Sequence, residues 1–371
     1  MWGVGWVSDP CLTPAAMQYR RRMNRLLMAL AGAALLSVPF AAQTTSPPRA
    51  KSGLTAVEGI KVGHHTLTER PTGCTVILVD GDAVGGVSQR GGAPGTRETD
   101  LLDPLNMVDK VNAVVLAGGS AFGLEAATGT VKWLEEHNIG WAAGPSRVPI
   151  VPGAILFDLG VGGNPKIRPT ADCGYKAAEA ATAGPVEEGS VGAGAGATVG
   201  KFGGPGRSMK AGLGTASITH PSGLVVAAIV AVNAVGDIID PSNGKVVAGV
   251  RNPDNTFSDA RAILRAGAFQ RPRAGENTTI GLVATNAKLT KAQVTRMAMM
   301  ADDGYARAIS PSHTNGDGDT IFSLATGRWD GNADITLVGG LAAEAMADAI
   351  VRAATQATGA AGIPAARDLK K

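Results

Sequence analysis

The sequence feature that most constrains the fold is a near-continuous apolar segment, LVVAAIVAVN, at residues 224–233. A strand with apolar side chains at every position places apolar groups on both faces of its sheet, so both faces must be covered. Similar segments predict further strands: VNAVVLAGG (111–119), TIGLVATN (279–286), TIFSLATG (320–327) and ADITLVGG (333–340).

Helical segments alternate with these predicted strands. In the segment 121–138, apolar residues recur at the spacing of one helix face, at Leu124, Ala127, Val131 and Leu134. The segment 289–309 begins with Thr290 and Gln293 in the positions of a capping box. Its apolar stripe is typical of a helix packed on a core: Val294, Met297, Ala298, Ala301 and Tyr305. With a final Ala-rich helix, the pattern predicts an α+β fold in which sheets lie between helical layers.

Residues 1–42 have the pattern of an N-terminal extension and a secretory signal peptide. The basic RRRMNR at 20–25 precedes LLMALAGAALLSVPFAA at 26–42, which ends in small residues and is short for a membrane span. A retained membrane anchor is the alternative. We expect a periplasmic or secreted protein with no stable membrane span after signal removal. A linker at 43–53 and a single catalytic domain at 54–371 then follow.

Only Cys74 and Cys173 remain in such a mature chain. They can pair in an oxidising compartment or stay as two buried free thiols, and the sequence leaves both possibilities open.

Composition and failed motifs exclude several classes of protein. A net charge of +3 is too small to indicate a nucleic-acid partner. The five histidines show no metal-ligand spacing and are interpreted as surface or core residues, so we expect neither a metal nor a cofactor. The glycine-rich GAGAGATVGKF at 192–202 lacks the glycine and the hydroxyl that a phosphate-binding loop needs.

The segment GENTTIGLVA at 275–284 places two threonines at the start of a predicted strand. The simplest interpretation is a turn followed by a strand, because Asn favours turns and Thr favours strands. The alternative is that Thr278 becomes the first residue of a new chain, since an N-terminal Thr carries its own general base, the α-amine. To expose this amine, the Thr278 hydroxyl would attack the carbonyl of Asn277, and the resulting ester would be hydrolysed.

Four further residues can support such a nucleophile. Asp317 and Asp319 are separated by one glycine, so in extended backbone both carboxylates face one side; the alternative is a solvated Asp-Gly turn. Asn233 ends an apolar strand and can donate its amide to an oxyanion, or simply cap the strand. Lys201 follows several glycines and can stabilise negative charge, or point into solvent.

The chain resembles the DmpA-type aminopeptidase family, which includes β-peptidyl aminopeptidases and endo-type nylon-oligomer hydrolases. The resemblance runs from about Gly53 to Gly340 through motifs in the family's order: GLTAVEGIKVGHHT, CTVILVDGDAVGGVSQRGGAPGTRETDLL, VVLAGGSAFGLEAATG, GAGAGATVGK, MKAGLGTAS, VAAIVAVNAVGD, LVATNAKLTKAQ and ISPSHTNGDGDTIFSLATG.

The resemblance implies a four-layer αββα sandwich that cuts itself into two chains, 54–277 and 278–371, which stay associated. In the nylon-oligomer branch the cut precedes a Thr, which here is Thr278, so the cleavage site lies between Asn277 and Thr278. The other catalytic residues of that branch fall on Lys201, Asn233, Asp317 and Asp319.

This chain differs from the aminopeptidase branch of the family at two places. That branch uses a Ser nucleophile, with Ser and Glu where this chain has Asp317 and Asp319, so the resemblance leaves open a preference for a free substrate amine. A substrate-binding Tyr of some relatives has its nearest match in Phe157.

The leading hypothesis is a self-processing amidohydrolase or aminopeptidase acting on small peptides or amide oligomers through an acyl-enzyme on Thr278. We expect the processed heterodimers to form a homo-oligomer. One alternative is an acyltransferase of the ornithine acetyltransferase type, which also uses a cleavage-generated Thr; the export signal argues against this biosynthetic role. The other is a non-catalytic binding protein, against which the complete set of site residues argues.

Overall fold

The computed structural model describes residues 53–204, 206–269 and 276–369. The predicted signal peptide and residues 43–52 of the predicted linker lie outside these ranges. The proposed division of the chain at residue 54 therefore stays a prediction.

The described residues form five α-helices and sixteen strands. The helices are α1 (Ala126–Glu136), α2 (Ala171–Glu179), α3 (Ala260–Arg265), α4 (Lys291–Ala308) and α5 (Ile335–Gln356). The strands are β1 (Ile60–Thr66), β2 (Gly73–Gln89), β3 (Thr96–Arg97), β4 (Lys110–Ala117), β5 (Trp141–Ala143), β6 (Ser146–Val148), β7 (Gly153–Ile155), β8 (Thr198–Val199), β9 (Met209–Lys210), β10 (Leu213–Thr219), β11 (Val225–Asn233), β12 (Asp237–Ile239), β13 (Val246–Ala248), β14 (Thr278–Ala287), β15 (Ile309–Ser310) and β16 (Thr320–Trp329).

The main sheet has nine strands and is continuous through the long strand β2. Its order is β10-β11-β14-β16-β2-β4-β7-β3, with β1 also paired to β2. The first part of β2 pairs with β1 and β4, whereas its last residues, 84–89, pair with β16. The register with β4 shifts between Leu78 and Ala83. This irregular region of β2 joins two halves of the sheet. One half contains β10, β11, β14 and β16, and the other contains β1, β4, β7 and β3.

Side-chain alternation along β11 shows that the two halves of the sheet pack face to face. Ala227, Ile229 and Ala231 belong to a buried cluster with Ile77 of β2 and Leu116 of β4, in the other half. The intervening β11 side chains belong to a second cluster, formed with helices α4 and α5: Val226, Ala228, Val230 and Val232.

Helices α1 and α2 cover the outer face of the other half of the sheet, which contains β4 and the first part of β2. Ala127 of α1 and Cys173 of α2 share a third buried cluster with Val76 of β2 and Val115 of β4. The order of layers is therefore helix, sheet, sheet, helix, and the predicted αββα sandwich is confirmed. The two inner layers are halves of one hydrogen-bonded sheet.

A disulfide crosses the layer boundary between β2 and α2. It joins Cys74 to Cys173, whose Cα atoms lie 6.2 Å apart. The structure therefore has the paired form of the two alternatives that the sequence left open.

Most of the predicted elements are confirmed. Strands predicted at 111–119, 224–233, 279–286 and 320–327 correspond to β4, β11, β14 and β16. The helix predicted at 289–309 is α4, and it begins with the predicted capping box, in which Thr290 N donates to Gln293 Oε1 at 2.9 Å. The helix predicted at 121–138 starts as a 3-10 segment and continues as α1.

The strand predicted at 333–340 is wrong, because these residues begin helix α5. Asp334 caps the helix by accepting a hydrogen bond from Thr336 N at 2.8 Å. The glycine pair that resembled the end of a strand lies within the helix. A Cβ at Gly339 would collide with the side chain of Met300 in α4, so the missing side chain lets the two helices approach closely.

Among the residues that the structure describes, none of the helices combines the length and the apolar character that crossing a bilayer requires.

The close contact between α4 and α5 can be tested at Gly304. A Cβ there would lie 2.6 Å from the Ala343 carbonyl oxygen and 2.8 Å from Met346 Cβ. Gly304→Ala should lower the thermal unfolding temperature, because overpacking costs about 1–3 kcal/mol. In the control Gly340→Ala, the new Cβ meets open space, and Ala gains up to about 1 kcal/mol over Gly in a helix. Equal unfolding temperatures for the two variants would contradict the packing.

Candidate active site

The predicted nucleophile lies where three neighbouring strands have their ends. Thr278 is the first residue of β14 and is directly opposite Asn233, the last residue of the antiparallel strand β11. On its other side β14 runs parallel to β16, which begins at Thr320, immediately after the Asp317–Asp319 loop. Parallel strands begin at the same edge of a sheet, so this topology brings residues from distant parts of the sequence together.

The Asn277–Thr278 peptide is buried in this cluster. Thr278 is 2% exposed and Asn277 is 1% exposed. The Thr278 hydroxyl donates a hydrogen bond to the carbonyl oxygen of Asn277. Gly318 N donates to the same carbonyl at 3.0 Å. The Asn277 carbonyl oxygen therefore accepts two hydrogen bonds, one from a backbone N–H and one from the Thr278 hydroxyl.

Asp317 and Asp319 are both buried and fix different strand ends. Asp319 Oδ1 accepts a hydrogen bond from Thr279 N at 2.8 Å, next to the predicted nucleophile. Asp317 accepts from Val235 N at 3.3 Å, two residues beyond β11, and also from the Thr314 hydroxyl. The two carboxylates thus hold β14 and the chain after β11, and neither is a solvated turn residue.

Asn233 and Lys201 form a polar pair at the end of β11. Asn233 Oδ1 accepts from Lys201 Nζ at 2.9 Å and from Thr198 N at 3.0 Å. Its Nδ2 donates to the carbonyl oxygen of Phe157 at 2.9 Å. Because Oδ1 has donors and Nδ2 has an acceptor, the orientation of the amide is fixed.

The hydrogen bond from Asn233 Nδ2 shows where the structure places Phe157. Its carbonyl lies at the site, although the sequence singled it out for its ring. The predicted role of the ring in substrate binding stays a prediction.

Burial changes the protonation of two groups in the site. Burial lowers the pKa of Lys201 to about 7, although the negative charges of Asp317 and Glu276 act in the opposite direction. Burial and the charge of Asp319 raise the pKa of Asp317 to about 6. Both groups therefore titrate near neutral pH, as groups that transfer or stabilise protons at active sites often do.

His313 is a site residue that the sequence interpretation missed. It was assigned to the surface or the core for lack of metal spacing, but its Nδ1 lies 3.0 Å from Asp319 Oδ2. Its backbone N–H also donates to that oxygen at 2.9 Å. The available signal was its position only four and six residues before Asp317 and Asp319.

The backbone that follows β2, at residues 90–93, packs against the Asp317–Asp319 loop. Ala93 N donates to Asp317 O at 2.9 Å, and Arg90 N donates to Asp319 O at 3.1 Å. A Cβ on Gly91 would collide with Asp319 N. The missing side chain at Gly91 therefore allows the two backbone segments to approach each other closely.

Among the described residues, no group of three or more His, Cys, Asp or Glu side chains is arranged to hold a metal ion.

Comparison with known proteins identifies the family. Residues 52–367 match the family model described as Peptidase family S58. The chain belongs to this family.

Two curated relatives cover most of the chain. An uncharacterized aminopeptidase of Mycobacterium tuberculosis is 44% identical over 348 residues, which are 86% of this chain and 98% of the relative. A 6-aminohexanoate-oligomer endohydrolase of Kocuria sp. is 32% identical over 316 residues, which are 80% of this chain and 84% of the relative.

Two solved structures share the fold. A beta-aminopeptidase of Burkholderia sp. has a TM-score of 0.63 at 23% identity and covers 86% of this chain and 92% of its own. An L-aminopeptidase D-Ala-esterase/amidase of Ochrobactrum anthropi, described as a variant of the Ntn hydrolase fold, has a TM-score of 0.59 at 20% identity, with 82% and 86% covered. At these identities the similarity establishes the fold alone.

The S58 member described here is thus a hydrolase of peptide or amide bonds. The acyltransferase alternative gains no support from these relatives.

The close packing around Thr278 can be tested at Gly318. A Cβ there would lie 2.7 Å from Thr278 Oγ1 and 2.5 Å from the Ala93 carbonyl oxygen. Gly318→Ala should lower the hydrolysis rate on the order of 10²-fold, because small displacements of reacting groups have effects of that size. Gly160→Ala is the control, since a Cβ there meets open space. If both variants hydrolyse an amide substrate at the wild-type rate, Thr278 does not need this geometry.

Proposed function

We propose that this S58 hydrolase processes itself between Asn277 and Thr278 and then hydrolyses amide bonds through an acyl-enzyme on the Thr278 hydroxyl. The observation that carries the proposal is the position of Thr278. It starts a strand, is buried between Asn233 and the Asp317–Asp319 loop, and has its hydroxyl on the preceding carbonyl.

Self-processing begins when Thr278 Oγ1 attacks the carbonyl carbon of Asn277. The C–N bond breaks, the hydroxyl proton passes to the nitrogen, and an ester joins Asn277 to the side chain of Thr278. Gly318 N–H, which already donates to this carbonyl, stabilises the oxyanion. Water then hydrolyses the ester and leaves a free α-amine on Thr278.

Turnover repeats this acyl transfer on a substrate. The neutral α-amine accepts the proton of the Thr278 hydroxyl, which attacks the substrate carbonyl, and the leaving amine takes up the proton. Water hydrolyses the resulting ester. One N–H of the Asn233 amide is used on Phe157, and the other is the donor that we assign to the substrate oxyanion.

Lys201 and the two aspartates set the charge around this reaction. Lys201 holds the Asn233 amide in the orientation that directs its nitrogen away from the lysine. Asp319 holds the backbone at Thr279, and its charge favours the cationic form of the amine after proton transfer.

The substrate class that we propose is small peptides or linear amide oligomers. Support comes from the names of the relatives, which include aminopeptidases and a 6-aminohexanoate-oligomer endohydrolase. The proposed nucleophile Thr278, with aspartates at 317 and 319, supports amide oligomers beside peptides, because the aminopeptidase branch of the resemblance has a Ser nucleophile and has Ser and Glu at those two positions.

We further propose that the enzyme is exported. The signal-like segment at 1–42 supports export, and so does the disulfide between Cys74 and Cys173, because disulfides persist in oxidising compartments.

Self-processing makes a direct prediction about fragments. Purified protein should separate on a denaturing gel into a larger N-terminal fragment and a smaller one that begins TTIGLV. Thr278→Ala should stay full length, because it lacks the attacking hydroxyl. A single uncleaved band from fully active protein would contradict the mechanism.

The neighbouring threonine is the matched control. Thr279→Ala removes a buried hydroxyl one residue away and should still be cut at the same bond. If Thr279→Ala stays whole while Thr278→Ala is cut, the nucleophile is one residue further along the chain.

The proposed base predicts the pH dependence of hydrolysis. The α-amine must be neutral to accept a proton, and an unperturbed α-amine titrates near pH ~8. The rate should therefore rise with pH through one limb that belongs to an amine. Replacing His64, His65, His137, His220 or His313 singly should leave this limb in place. Loss of the limb in a folded, processed histidine variant would show that the base is a histidine.

A further inference from the structure

We propose that His313 is a positioning residue that holds Asp319 against the strand of the nucleophile and links it to a second buried carboxylate, Asp302. The inference rests on the proposed function, in which Thr278 and Asp319 belong to the reacting site. The hydrogen bonds of His313 go to Asp319, so the effect that we propose passes through the carboxylate.

His313 makes two contacts with one oxygen of Asp319. Its backbone N–H donates to Asp319 Oδ2 at 2.9 Å, and its Nδ1 lies 3.0 Å from the same atom. The other oxygen, Oδ1, accepts from Thr279 N at 2.8 Å. Both oxygens of the carboxylate are therefore fixed, one by His313 and one by the residue after the nucleophile.

The far side of the imidazole faces Asp302 of helix α4. His313 Nε2 lies 4.0 Å from Asp302 Oδ1, and within the described residues neither of these buried atoms has a hydrogen-bond partner. The other oxygen of Asp302 accepts from the Ser88 hydroxyl at 2.6 Å and lies 3.4 Å from Arg90 Nε. Asp302 is thus anchored on β2 with one oxygen directed at the imidazole.

The ring is also held in its plane. The imidazole stacks on Tyr305 of α4, with ring centroids 5.7 Å apart and an interplanar angle of 19°. Tyr305 is fully buried, so it forms a rigid surface for the ring. His313 therefore has a fixed position and a fixed orientation between two carboxylates.

The charges around the imidazole favour its cationic form. Burial alone would lower the pKa of His313, but the hydrogen bond to Asp319 and the charges of Asp319 and Asp302 outweigh burial and raise it. An imidazolium donates from both nitrogens, so it can serve both carboxylates. Removing the ring would leave Asp319 Oδ2 held by the His313 backbone N–H alone, so the carboxylate would be positioned less firmly against Thr279 N.

The backbone at His313 allows a well-matched pair of variants. Its φ of 53° lies in the left-handed region, which Gly and Asn tolerate better than other residues. His313→Gly removes the ring without adding backbone strain. His313→Asn restores a donor near the position of Nδ1 but has no atom that reaches Asp302.

We expect His313→Gly to lower kcat on the order of 10- to 100-fold, by analogy with groups that orient metal ligands, whose loss has effects of that size. KM should change less than about threefold, because the proposed role of His313 is exerted on Asp319, and the amine limb of the pH profile should remain. His313→Asn should recover part of kcat and stay several-fold below wild type, because it does not reach Asp302. The measurement is steady-state hydrolysis of an amide substrate by fully processed protein.

Asp302→Asn is the second test and keeps the proposal falsifiable if His313→Gly does not fold. It removes the charge opposite Nε2 and should lower kcat several-fold at unchanged KM. Wild-type kcat in folded His313→Gly, or in Asp302→Asn if the glycine variant does not fold, would overturn the positioning role. Thr278→Ala distinguishes failure of the His313 role from failure of the proposed function. If Thr278→Ala is still cut and active, the proposed function itself fails.

Discussion

The site depends on the directions in which three adjacent strands run. β14 and β16 are parallel and begin at the same edge, whereas β11 is antiparallel to β14 and ends there. Thr278, Asn233 and the Asp317–Asp319 loop meet only because of this arrangement. Register matters equally, since a slip of β14 by one residue would turn the Thr278 side chain to the other face of the sheet.

The burial of charge is the second constraint on the site. Burial lowers the pKa of Lys201 to about 7, and burial together with the Asp319 charge raises that of Asp317 to about 6. Ionised groups in such a place need hydrogen bonds, and backbone N–H groups supply several of them. The proposed self-processing and the proposed turnover both require stabilised negative charge on a carbonyl oxygen, so one desolvated cluster can serve both reactions.

Elements with a strong repeat could be predicted from the sequence, and those decided by tertiary packing could not. The continuous apolar segment of β11 predicts a buried strand by itself. The capping box and the apolar stripe of α4 together predict a helix. The start of α5 does not, because its helical form depends on the Asp334 cap and on Gly339 packing against Met300. In the site, the i, i+2 spacing predicted that both aspartates face one side and left a solvated turn as the alternative; their burial in the fold decides between the two. His313 was missed because only the fold brings Asp302 and Tyr305 to its ring.

In the proposed mechanism, the hydroxyl of Thr278 carries the acyl group during turnover. The most direct test is intact-mass analysis and peptide mapping of protein mixed with a slowly hydrolysed activated ester of a small amino acid. We expect a base-labile acyl adduct on the small fragment, at its first residue, Thr278. An adduct on another residue, or rapid turnover by the uncleaved chain, would contradict it.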